Sequence, residues 1–155
     1  MDAWTQLKLL AGPLMAFVLS GVLGWEREAK HKSAGLRTHM LVGVSSALFV
    51  VLSEAIVTVF ANDAPQVRFD VIRILSAVVS GVSFLGAGVT FSSRRRARGL
   101  TTAASLLASA SVGMACGLHL YLLAAAVTLL FWIILSPLSR FTDRLSPGPS
   151  EEEQD

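Results

Sequence analysis

Residues 70–117 read DVIRILSAVVSGVSFLGAGVTFSSRRRARGLTTAASLLASASVGMACG. An apolar run broken only by small residues is followed by a basic knot, Arg94-Arg95-Arg96-Ala97-Arg98. A second run rich in Gly, Ala, Ser and Thr then extends to Gly117. This pattern predicts two membrane helices joined by an arginine-rich turn. Their faces lack bulk, so their backbones can approach closely.

The rest of the chain fits that reading. Of 155 residues, 53% are apolar and 15% charged, well short of the roughly 25% charge of a soluble domain. Mean hydropathy is +0.61. The charges gather in short clusters separated by long stretches without them, which is the pattern of a polytopic membrane protein. Five spans are predicted, at about 7–25, 40–61, 71–91, 100–118 and 120–136. The first carries Pro13 and is read as a retained span: its flank holds Asp2 with Lys8, and no small-x-small cleavage site follows it. Residues 1–140 form one transmembrane domain. Residues 141–155, rich in Pro and ending in an acidic run, are read as a disordered cytoplasmic tail.

Placing the first loop, the third loop and the tail on one side collects ten of the thirteen Lys and Arg residues there. The positive-inside rule then puts the N-terminus outside and the C-terminus in the cytoplasm, in agreement with an odd number of spans. The expected fold class is therefore all-α, a bundle of five transmembrane helices.

Three groups of residues stand out. Ser80, Gly81, Gly86 and Gly88, with Gly113 and Gly117 at small-xxx-small spacing, are candidates for helix packing, within the chain or in a homodimer. Glu54, Asp70 and Arg73 are charges near the outer end. Glu54 lies about 10 Å below the end of its span, at a depth where it can meet Arg73. Such groups hold a cation, a proton or a headgroup, or form a structural pair. Glu26, Arg27, Glu28, Arg37 and Arg98 form a charge network at the inner mouth, suited to a partner protein or anionic lipid.

Other chemistries find little support. One cysteine, Cys116, excludes an internal disulfide and a multi-cysteine metal site. The arginine run lacks the interleaved aromatics of a nucleic-acid surface. Gly81-Val82-Ser83-Phe84 superficially fits an intramembrane serine protease, but His39 and His119 are placed at span ends, away from Ser83. Neither an enzyme nor a cofactor is expected.

Several ordered blocks resemble the MgtC/SapB family of bacterial inner-membrane proteins. The first holds Gly21, Gly24, Glu26-Arg27-Glu28 and Ala34-Gly35-Leu36-Arg37-Thr38-His39. Ser46-Ala47-Leu48-Phe49 is another. A third runs from Asp70 and Arg73 through Ser80-Gly81 to Phe84-Leu85-Gly86-Ala87-Gly88. The last is Arg98-Gly99-Leu100-Thr101-Thr102-Ala103-Ala104-Ser105. The resemblance implies a five-helix inner-membrane domain tied to adaptation to low magnesium and, in the MgtC branch, survival inside host cells. It implies action by binding other membrane proteins; a small cation channel or transporter is the alternative. The short tail is similar to SapB-like members, whereas many MgtC-like members continue into a soluble domain. Thr101 and Ala108 stand where the MgtC branch often has Asn and Cys.

Overall fold

In the computed structural model, residues 2–60, 70–91 and 99–136 are described. They form six helices: α1 (Ala3–Leu9), α2 (Ala11–Ala29), α3 (Leu36–Phe60), α4 (Val71–Phe91), α5 (Leu100–Gly117) and α6 (Tyr121–Leu135). No strand occurs among the described residues. The basic turn at Arg94–Arg98 and the tail after Ser136 lie outside them.

Helices α1 and α2 make a single span of 27 residues broken at Leu10. Pro13 accounts for the break. It cannot donate to Leu9, and its ring crowds that carbonyl. Regular bonds resume on either side, Leu10 N to Gln6 O at 3.2 Å and Leu14 N to Leu10 O at 3.1 Å. Three further helices, α3, α4 and α5, are long and apolar enough to cross a membrane; α6, at 15 residues, is shorter.

The sequence-based boundaries shift at the charged hairpin. Helix α2 continues to Ala29 and α3 begins at Leu36, so Glu26, Arg27, Arg37 and His39 are helical. Hydropathy falls where the charges begin, but backbone hydrogen bonding does not. A left-handed residue, His31 at φ 50°, ends α2. His31 N bonds Glu28 O and Lys32 N bonds Arg27 O, the paired pattern that caps a helix C-terminus. The same device ends α5. His119 has φ 62°, with His119 N on Cys116 O and Leu120 N on Ala115 O.

The bundle is built around α5, which packs on α2, α3, α4 and α6. Its span is 56% buried, against 17% for α4. That explains its weak hydrophobicity, because protein rather than lipid surrounds it. Backbones approach closely at its glycines. A Cβ on Gly113 would overlap the carbonyl of Gly43, and one on Gly117 would sit 2.7 Å from Ala47 O. Where lipid removes the usual gain from burying leucine, such contacts hold helices together. The outside is correspondingly apolar: Leu122, Phe84 and Ile72 are more than three-quarters exposed.

Candidate functional site

The α2–α3 hairpin and the start of α5 enclose a cluster of buried polar side chains. Glu26 is 6% exposed, Arg27 3% and His39 0%. Two residues of α5, Thr102 and Ser105, complete it. The Arg27 guanidinium donates from Nη2 to Thr102 Oγ1 at 2.7 Å. Ser105 Oγ lies 3.1 Å from His39 Nε2 and donates to Thr102 O at 2.8 Å. On its other side the imidazole meets Gly35 O at 2.8 Å through Nδ1. Since that carbonyl only accepts, Nδ1 carries the proton in neutral His39 and Nε2 is an acceptor, which Ser105 can serve only by turning its one hydroxyl proton away from Thr102 O. His39 packs so closely because Gly24 lets α2 approach: a Cβ there would lie 2.8 Å from Leu36 Cα.

Glu26 is tied to α6 rather than to arginine. The Lys30 ammonium, one turn on, sits 2.6 Å from Glu26 Oε1 and 2.5 Å from Leu135 O at the end of α6. A cation there opposes both the carboxylate and the negative end of a helix dipole. The cluster thus joins four helices by charge and hydrogen bonds.

The expected inner network therefore divides. Glu26 and Arg27 are interior. Glu28 is exposed and accepts Leu36 N at 2.9 Å, capping α3, while Arg37 faces outward. Arg98 lies outside the described residues. The buried pair is not itself a docking surface, because little of it reaches solvent.

At the other end, the anticipated meeting of Glu54 with Arg73 is not found. Arg73 is 87% exposed and faces Asp70, with Nε 3.8 Å from Oδ2. Asp70 Oδ1 also accepts Arg73 N at 3.0 Å. An i, i+3 partner on the same helix wins over one across a loosely packed neighbour. Glu54 instead borders a recess of about 420 Å³ with Val50, Leu118 and His119. Among the described residues no group of three His, Cys, Asp or Glu side chains is arranged to hold a metal.

The packing residues divide as well. Gly113 and Gly117 lie against α3, and Gly86 faces Ala103, where a Cβ would stand 3.2 Å from that methyl. All three contacts are within the chain. Ser80, Gly81 and Gly88 are exposed on α4, and a Cβ at either of these two glycines would meet nothing within 4 Å. Beside them a groove of about 670 Å³ runs between α3 and α4, lined by Ser45, Phe49, Ala77 and Gly81 among others.

Sequence reasoning missed Thr102 and Ser105 as partners. Their signal was the spacing Thr102, Ser105, Ser109, Gly113, which marks one polar, slender face of a helix.

These features define a membrane-helix bundle centred on a slender polar helix, with a charged cluster sealed into one end. The MgtC family profile matches residues 14–144, and the chain belongs to that family. It is 43% identical over 125 residues to Protein MgtC of Brucella abortus strain 2308, an alignment covering 81% of this chain and 48% of that one. It is 37% identical over 133 residues to YhiD of Escherichia coli K12, named as a candidate magnesium transporter, covering 85% and 61%. An uncharacterized protein of Synechocystis, slr0014, is 40% identical over 142 residues, covering 90% and 57%. The chain thus spans about half to three-fifths of the length of these relatives. No solved structure matches it significantly.

Proposed function

We propose that this chain is a non-enzymatic protein of the bacterial inner membrane that binds other membrane proteins, and a second copy of itself, during adaptation to low magnesium. The N-terminus faces outward and the C-terminus the cytoplasm in this reading, which the distribution of Lys and Arg supports. The last two helices then complete five spans.

The observation that carries the reading is the uncovered face of α4. Arg73, Ser76, Ser80, Ser83 and Ala87 are all exposed and recur at alternating spacings of three and four. That is the spacing of the seam in a left-handed helix pair, and four of the five residues are small, which favours close approach in lipid. At its end, exposed Asp70 and Arg73 offer charges of both signs to a second α4. Magnesium enters through the family and the name of the Escherichia coli relative.

The test combines Ser80→Leu with Ala87→Leu, both exposed on the seam. Both sites are open, so folding in detergent is expected to be unchanged. Crosslinking of α4 to itself and to partners in native membranes should fall at least about fivefold, together with growth at low magnesium. Unaltered crosslinking and growth would refute the reading.

A second reading, passage of a cation, is favoured by the Glu54–His119 recess. Flux in proteoliposomes that is lost in Glu54→Gln, with crosslinking intact, would select it.

A further inference from the structure

Several polar atoms deep in the bundle have no hydrogen-bond partner among the described residues. They are Ser20 Oγ, Ser109 Oγ and Arg27 Nε, in line with the buried Glu26 carboxylate, which pairs with the Lys30 ammonium at 2.6 Å. All four side chains are at least nine-tenths buried. Other interior hydroxyls turn back on their own helix, as Ser46 does to Val42 O at 2.7 Å and Thr128 to Ala124 O at 2.7 Å. Ser20 and Ser109 do not.

The unpartnered atoms lie in order along the interior. Ser20 is seven residues before Arg27 on α2, and Ser109 seven residues after Thr102 on α5, each about 10 Å further from the charged hairpin. Ser20 and Ser109 thus extend the column formed by Arg27, Thr102, Ser105 and His39. Ser20 Oγ fills the space that a side chain on Gly43 would need. Directly beyond, Gly43 and Gly113 meet backbone to backbone. Past that contact the interior is apolar: Cys116 is fully buried in a cluster with Ala16, Ala47 and Val112.

Buried polar groups without a protein partner are commonly served by water where a molecule fits, each serving two to four groups, whereas apolar sites stay dry. We propose that the α2–α3–α5 interface holds a water-filled half-channel, entered beside Glu26 and closed at the Gly43–Gly113 contact. Its ligand is water, and with water a hydrated proton, which reaches from one membrane face to the level of Ser20 and no further. The inference does not depend on the α4 docking face or on which membrane face is cytoplasmic.

Cysteine reactivity tests it, because thiols react as thiolates, which form readily only in water. Ser20→Cys and Ser109→Cys, each in a Cys116→Ala background, are compared in native membranes with Cys116 of the unaltered protein. The probe is methyl methanethiosulfonate, uncharged and able to arrive from either face. Both new cysteines should react at least about tenfold faster than Cys116, and Ala110→Cys, on the apolar side of the same helix, should be as slow as Cys116. A smaller difference at either serine position overturns the proposal. Radiolytic footprinting of the unaltered protein needs no substitution. Fully buried His39 should be oxidised as readily as exposed His31 if water lies beside it, and protection of His39 would overturn the half-channel.

Discussion

Replacing Gly113 by alanine adds one methyl group at the point where α5 and α3 touch. The new Cβ would overlap the carbonyl oxygen of Gly43 and lie 2.9 Å from its carbon and 3.0 Å from its Cα. Ordinary contacts begin near 3.4 Å, and the overlapped carbonyl oxygen sets the shift, so the helices must part by about one ångström. The obstructing atoms are backbone, so no side-chain rotation relieves them. A gap of that size forfeits up to about half of the dispersion energy of the atoms it separates. With the usual cost of overpacking, the loss is about 1–3 kcal/mol. Gly88→Ala is the matched control. It makes the same substitution in a helix, where the Cβ meets nothing within 4 Å. Alanine is the better helix former, so it should be neutral or stabilising by up to about 1 kcal/mol. Reversible unfolding in mixed detergent micelles, followed by circular dichroism, separates the two. Equal stability of the pair, or a larger loss in Gly88→Ala, would refute the claim that glycine contacts hold α3 to α5.

The charged cluster makes its own predictions. Thr102→Val keeps the shape of the side chain but removes the acceptor of the buried Arg27 bond, and should cost about 1–3 kcal/mol in the same unfolding assay. Lys30→Met leaves the Glu26 carboxylate buried without its ammonium. It should destabilise by about 3 kcal/mol, and adding Glu26→Gln should recover much of that in a double-mutant cycle. Arg73→Ala removes only a solvent-exposed 3.8 Å pairing with Asp70 and should leave the unfolding curve unchanged.

How far this architecture can be read from residues alone depends on the range of the interaction. The spans follow from local hydropathy, and Gly113-x-x-x-Gly117 announces close packing because small residues in lipid have few other uses. The identity of the packed surface is a long-range fact. Gly43 lies seventy positions before Gly113, and nothing near it marks it as the partner. The same holds for Arg27 and Thr102, 75 positions apart, and for His39 and Ser105, 66 apart. Charge also misleads when read as a boundary. Glu26 and Arg27 resemble loop residues in composition, yet α2 carries them to its last turn, where α5 and α6 cover them.

Helix α5 unites these observations. A span rich in Ala, Ser, Thr and Gly gains little from lipid, so its place depends on what neighbours provide: backbone contact through Gly113 and Gly117, and hydrogen bonds through Thr102 and Ser105. The two kinds of contact occupy different depths of the helix, with the polar cluster at its first turns and the glycine contacts at its last. Loosening one should therefore not be repaired by the other. Gly113→Ala and Thr102→Val lie eleven residues apart and share no partner, so their costs should add to within about 0.5 kcal/mol. Strong coupling between them would mean that α5 shifts as a rigid piston, with the charged end and the glycine end responding to each other.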